Sequence, residues 1–276
     1  MAAKPPLRFE EVQRTLRLLQ PAVRDHRIVL VGGQAVSFWQ RYLQRGSLDP
    51  ELRKPLTSKD IDFEGSARAV RRAADLLSGV PRFPDADHVS SPNTGIVIFS
   101  DADGVTREID FIEQPLGLSA RDVRDTAVAI DVKADDGSPI RLLVMHPERC
   151  MESRVYNAQV LGKTGPLAMR QLRVSVICAR EWSRYILDDE TVAAEERVRA
   201  VLRLNERIFR KCRDDRRFRT LYLDGRGDPM QAILADDTRL PQRFRERRYP
   251  DMLAIVADRR RRDRANRARS AARGAS

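Results

Sequence analysis

Three acidic residues stand in settings that suit metal-assisted phosphoryl chemistry. Asp60 and Asp62 belong to the run Thr57-Ser58-Lys59-Asp60-Ile61-Asp62-Phe63, and Asp110 to Arg107-Glu108-Ile109-Asp110-Phe111-Ile112. On an extended strand, residues two apart share a face. Asp60 and Asp62 therefore point one way while Ile61 and Phe63 point into a core, and Asp110 repeats the pattern between Ile109 and Phe111. Like charges about 6–7 Å apart along a strand repel unless a cation lies between them. A divalent metal, Mg²⁺ or Mn²⁺, is the economical explanation. If the two strands are neighbours, three carboxylates converge, as a two-metal phosphoryl-transfer site requires. Ser58 shares the face of Asp60, where its hydroxyl either meets a metal-bound phosphate or caps the loop. Glu64 continues the face and reads as a solvated strand end. Glu108 reads as an edge carboxylate paired with Arg107 or a lysine.

A phosphate-binding partner for these acids lies upstream, in Arg27-Ile28-Val29-Leu30-Val31-Gly32-Gly33-Gln34-Ala35-Val36. Ile28 to Val31 is a continuous apolar run, as a covered strand requires. Gly32 and Gly33 allow a sharp turn and a close approach of backbone to ligand. A helix then opens, with Ala35, Phe38, Trp39, Tyr42 and Leu43 at helical spacing. Its first N–H groups and positive dipole end suit the triphosphate of an NTP.

A Gly-Gly turn opening a helix, Asp-x-Asp on a strand, and a lone Asp on a later strand together resemble the polymerase-β-like nucleotidyltransferase superfamily. The wording Val-Gly-Gly-Gln-Ala-Val and Leu-Thr-Ser-Lys-Asp-Ile-Asp-Phe looks like its nucleotidyltransferase toxins, found in bacterial toxin–antitoxin and abortive-infection systems. So does His146-Pro147-Glu148-Arg149-Cys150-Met151-Glu152-Ser153-Arg154. The resemblance implies that Asp60, Asp62 and Asp110 hold two Mg²⁺ ions and are catalytic. It implies that Gly32, Gly33, Gln34, Ser58 and Arg154 contact the nucleotide. It also implies transfer of a nucleoside monophosphate from an NTP to RNA, with tRNA as an acceptor and an antitoxin protein as a partner. The sequence departs from the family pattern at two positions. Gln34 stands where many relatives have Ser, and Glu152 where many carry a Lys aimed at the triphosphate, with Arg154 two residues on.

The elements that must position these residues follow from periodicity. Phe9, Val12, Leu16 and Leu19 predict a lead-in helix over 8–20, ended by Pro21. Residues 44–58 are a polar connection. Ser66 caps a helix running to about Gly79. Residues 80–93 read as loop, with three prolines. Gly95 to Phe99 is a buried strand that turns at Asp101-Ala102-Asp103-Gly104 into the Asp110 strand. Ser119 opens a short helix, and a second hairpin spans Ala127 to Val144. After Pro147 only helical patterns remain: a stripe of Met151, Val155 and Ala158, long helices around Leu172–Ile186 and Val198–Phe209, then shorter pieces. The fold class is thus α/β in the α+β sense. A nucleotidyltransferase-type mixed sheet with flanking helices spans 1–146, and a helical bundle spans 147–257.

Composition bounds the partners. The 276 residues carry 51 Lys and Arg against 40 Asp and Glu, a net charge of +11. That balance favours a polyanion, most simply nucleic acid. From Pro241 onward, twelve arginines stand against four acids. Residues 258–276 contain no large apolar side chain and read as a disordered basic tail, or as a helix that orders only on an anion. Three scattered cysteines form no zinc or disulfide pattern. The N-terminus shows no apolar leader, and no run approaches the ~18 apolar residues of a membrane span. The expectation is a cytoplasmic protein. Two other function classes use the same residues. One is a nucleotidyltransferase acting on a protein hydroxyl or on a small molecule such as an antibiotic. The other is an inactive version of the fold that binds RNA or protein.

Overall fold

A computed structural model of the chain describes residues 9–44, 50–53, 55–56, 60–84, 93–133 and 137–274. It divides into two compact units. The first joins Met1–Tyr42 to Lys54–Ser153; the second joins Leu43–Arg53 to Arg154–Ser276.

In the first unit the described strands form one mixed sheet in the order β3-β4-β5-β2-β1-β7-β6. The strands are β1 Val29–Val31, β2 Ile61–Glu64, β3 Val80–Arg82, β4 Asn93–Ser100, β5 Thr106–Ile112, β6 Val128–Lys133 and β7 Pro139–Val144. β1 runs parallel to β7, and β2 parallel to β5; the other pairs are antiparallel. Alternation puts Leu30, Ile61, Phe63, Val97, Ile109 and Phe111 on one face, all buried. The rings of Phe63 and Phe111 stack 5.7 Å apart. Fully burying each such side chain contributes about 2–3 kcal/mol, enough to hold the strand register that aims the acids at the opposite face.

Among the described residues five helices belong to this unit: α1 Phe9–Leu18, α2 Gln20–His26, α3 Gly32–Leu43 (its last residue excepted), α4 Ala67–Leu77 and α5 Ala120–Thr126. Ser66 and Ser119 cap α4 and α5 as their sequence positions predict, each side chain accepting a backbone N–H. Two sequence expectations need correction. Pro21 stands in the first turn of α2 instead of ending the lead-in segment, because proline fits a helix's first turn, where its missing N–H has no partner to lose. Val80–Arg82 is a strand, not loop. Pro81 is tolerated there because β3 is the sheet's edge and pairs on one side only.

The second unit is helical, as expected: α7 Pro166–Asp188, α8 Ala194–Asp214, α9 Arg216–Leu223, a 3₁₀ turn Pro229–Ala232 and α10 Tyr249–Gly274. Val201, Leu204, Ile208 and Phe209 of α8 are buried. Asn205, also buried, donates to the Leu234 carbonyl at 2.8 Å and accepts the Leu234 N–H at 3.2 Å, so its amide is satisfied inside the core. The boundary differs from the expected break between His146 and Pro147. It falls inside α6 (Pro147–Val160), after Ser153, and the second unit also takes in residues 43–53, where Leu52 is buried.

The expected disordered tail is instead the second half of α10. No apolar stripe marks it in the sequence, because the docking side reads Met252, Val256, Arg260, Asp263, Arg267, four or three residues apart. Met252 and Val256 are buried in the ordinary way. Further on, ion pairs replace them. Arg260, 9% exposed, donates two hydrogen bonds to Asp228 and lies 3.7 Å above the Tyr222 ring. Asp263 accepts from Arg219 at 2.6 Å, and Arg267 donates to Asp224 at 2.9 Å. Arg260→Met removes the most buried of these contacts and strands Asp228. A loss of roughly 1.5–3 kcal/mol is expected, read as faster amide exchange along residues 261–274. Unchanged exchange would mean that α10 holds without its arginine.

Cys150, Cys178 and Cys212 are buried free thiols. Burial, with Asp228 nearby, pushes the Cys212 thiol well above its ordinary range. The native protein is therefore expected to resist thiol reagents, with three groups titrating only after denaturation. Rapid native labelling would contradict this packing.

Candidate active site

The acids are brought together by strand pairing in the first unit. β2 lies between β1 and β5, so Asp62 has a partner on each side. Across the parallel β2–β5 pair its Cα partner is Asp110. Across the antiparallel β1–β2 pair its partner is Val31. Cross-strand neighbours stand about 4.8 Å apart and share a face, so the carboxylates of Asp62 and Asp110 emerge side by side. Both are half-buried; Asp60, one residue before β2, is exposed.

Val31 delivers the glycine turn to this pair. Gly32 takes φ +67°, the left-handed region that L side chains avoid. A Cβ built there would lie 1.9 Å from Asp62 Oδ2 and 2.7 Å from its Cγ. The backbone at the start of α3 therefore presses directly on the Asp62 carboxylate, which only glycine permits. Gly33 and Gln34 follow, both buried. Two tethers fix α3 over the site. Trp39 Nε1 donates to the Met145 carbonyl at 2.8 Å, and Gln40 Oε1 accepts the Leu56 N–H at 2.9 Å.

Two carboxylates directly opposite each other are destabilising unless neutralised. The Asp62–Asp110 pair, with a helix N-terminus closed onto it, is chemically suited to a hard divalent cation. Among the described residues, no three His, Cys, Asp or Glu side chains converge as a ready metal set. The fit therefore belongs to the Asp62–Asp110 pair. Ser58 lies outside the described residues. Arg154, in the second unit, donates to Gln171 Oε1 at 3.1 Å.

No protein-family model matches the chain, and no curated protein matches it. Among solved structures, it is similar to an antigenic nucleotidyltransferase-like protein from Paracoccidioides brasiliensis. That match covers 63% of this chain and 78% of the other, with a TM-score of 0.39 and 13% identity.

The structure corrects the reading of Glu64. It is not a solvated strand end but fully buried, and it accepts from Arg124 Nε through both oxygens, at 2.9 and 3.0 Å, and from Arg124 Nη2 through Oε1. Strand alternation placed Glu64 on the acidic face, but nothing local pointed to an arginine 60 residues away on α5. Arg107, expected as a partner for Glu108, donates to Asp101 at 2.8 Å and Glu11 at 3.1 Å. Buried Glu152 accepts from Arg149 at 2.6 Å, which gives it a structural partner on its own helix. His146 Nδ1 accepts the Glu148 N–H at 3.2 Å and so caps α6.

Proposed function

We propose that the chain is a metal-dependent nucleotidyltransferase that moves a nucleoside monophosphate from an NTP to an RNA acceptor, tRNA included. The observation that carries this reading is the direct register of Asp62 with Asp110, with the Gly32 backbone pressed onto Asp62. Asp62 and Asp110 would hold Mg²⁺ or Mn²⁺, and Asp60, one residue before β2, would join them once the cation is bound. Bound there, a divalent cation would lower the acceptor hydroxyl's pKa and offset the charge of the triphosphate.

The chain's own groups divide the remaining work. The first N–H groups of α3, after Gly32 and Gly33, orient the β- and γ-phosphates, and the helix dipole favours their charge. The Gln34 amide adds a side-chain donor. Asp110 takes the proton from the acceptor hydroxyl. The hydroxyl oxygen then bonds to the α-phosphorus as the bond to pyrophosphate breaks. A site built from paired strands and a tethered helix holds its geometry before substrate arrives, which is where most phosphoryl-transfer catalysis originates. Among the described residues no helix is long and apolar enough to cross a membrane.

The test is incubation of the purified protein with Mg²⁺, each α-labelled NTP in turn and total RNA. The protein itself and small hydroxylated acceptors serve as competing targets. Label on RNA is the expected result. Label on protein or a small molecule would move the acceptor class, and no label on any target with any NTP would end the enzymatic reading.

A further inference from the structure

One exposed side of α10 repeats arginine at the spacing of one helix side. Arg259, Arg262, Arg269 and Arg273 are all exposed, with exposed Asn266 completing the three- and four-residue rhythm. At 1.5 Å rise per residue they extend over roughly 21 Å. The ion pair that Arg262 makes with Asp258 is surface-exposed, and Arg269 donates to Asn266; such contacts exchange at little cost. At the helix's near end the patch widens. Asp214 has Arg213, Arg259 and Arg219 around it, and the Arg213 hydrogen bond foremost holds its carboxyl below the ordinary range. Exposed Arg216 opens α9 beside it.

We infer that this side of α10 is a rail for the phosphate backbone of RNA. It rests on the proposal that RNA is the acceptor and locates where that RNA is held. Three features favour RNA over other partners. Apart from Asp263, which pairs with Arg219, the residues between the arginines are Ala265, Asn266, Ala268, Ser270, Ala271 and Ala272, which offer neither the large apolar side chains that insert into a lipid surface nor the aromatic anchors of a protein hot spot. The charge repeats along a line, as a phosphate backbone does, and roughly 21 Å of helix is long enough to meet several successive phosphates of one strand. Finally, the rail is already ordered. The Arg260–Asp228, Arg219–Asp263 and Arg267–Asp224 pairs fix the adjoining side of the same helix, so binding does not bear the ordering cost of a disordered segment.

The experiment is fluorescence anisotropy of the full chain with a labelled single-stranded RNA of roughly 16 nucleotides, in EDTA and without NTP, across a salt series. Replacing Arg259, Arg262, Arg269 and Arg273 with Gln is expected to weaken binding several hundred-fold at about 0.1 M salt. It is also expected to lower the slope of log K against log salt by about 3. The same four replaced by Lys should keep most of the slope. A control replacing exposed Arg24, Arg68, Arg121 and Arg141 by Gln should leave the slope intact. An unchanged slope in the rail variant, or an equal loss in the control, would overturn the proposal. So would tighter binding of the wild-type chain to phosphatidylserine vesicles than to RNA. Should the Gln variant not fold, dicarbonyl footprinting of the wild type decides the matter: RNA should protect these four arginines, and unaltered labelling counts against the rail. Because the assay contains no metal or nucleotide, it can fail while nucleotide transfer succeeds, and the reverse.

Discussion

Asp62→Asn is expected to lower nucleotide transfer by roughly 10³-fold, with the far-UV spectrum unchanged. The substitution keeps the side chain's shape and removes its charge. Metal binding and charge neutralisation at a transferring phosphoryl group are worth several kcal/mol, and about 4 kcal/mol corresponds to three decades in rate. In the proposed site both would be concentrated at Asp62, since it neighbours Asp110 on one side and touches the α3 turn on the other. Asp110→Asn should be similarly severe and should also alter the pH profile, if Asp110 takes the acceptor proton. Gly32→Ala reaches the same site from the backbone. The new methyl group would fall 1.9 Å from Asp62 Oδ2 at a residue with φ +67°, so either the carboxylate or the turn must move, and activity should drop with it. Single-turnover assays with the NTP and acceptor that the labelling experiment identifies would read these effects. Retained turnover in Asp62→Asn would remove the carboxylate pair from the mechanism.

Arg124→Met is expected to cost the sheet unit about 3 kcal/mol of stability. It would leave the Glu64 carboxylate, 0% exposed, without its guanidinium partner. The lower end of the usual cost for breaking a buried pair applies, because the Arg124 side chain is 48% exposed and water can enter as it leaves. The Arg124→Met/Glu64→Gln double variant should recover more than half of the loss, since replacing both partners leaves no buried charge. Urea unfolding in a Trp182→Phe background would report this through Trp39, which is buried in the same unit. A double variant no more stable than the single one would show that the ion pair was not the source of the loss. Glu64 sits two residues beyond Asp62 on β2, so Arg124→Met should also lower activity, by less than Asp62→Asn.

What the sequence determined by itself was local and periodic. Alternation in Asp60-Ile61-Asp62-Phe63 and Glu108-Ile109-Asp110-Phe111 is enough to sort acids from core, because a strand has a period of two residues. The Gly32–Gly33 turn, the Ser66 and Ser119 caps and the second hairpin are equally local, each set by a backbone angle or one nearby hydrogen bond. Tertiary structure alone decided which strands are neighbours. The parallel register that sets Asp62 against Asp110 joins segments nearly 50 residues apart, and the burial of Glu64 depends on Arg124, 60 residues downstream. Pairings at such separations leave no periodic trace. The C-terminal helix shows the same limit. Its docking side carries Arg260, Asp263 and Arg267 where hydrophobicity would announce burial, and those charges are acceptable there only because Asp228, Arg219 and Asp224 face them. A charge reads as solvated until its partner is known, and the partner is supplied by the fold.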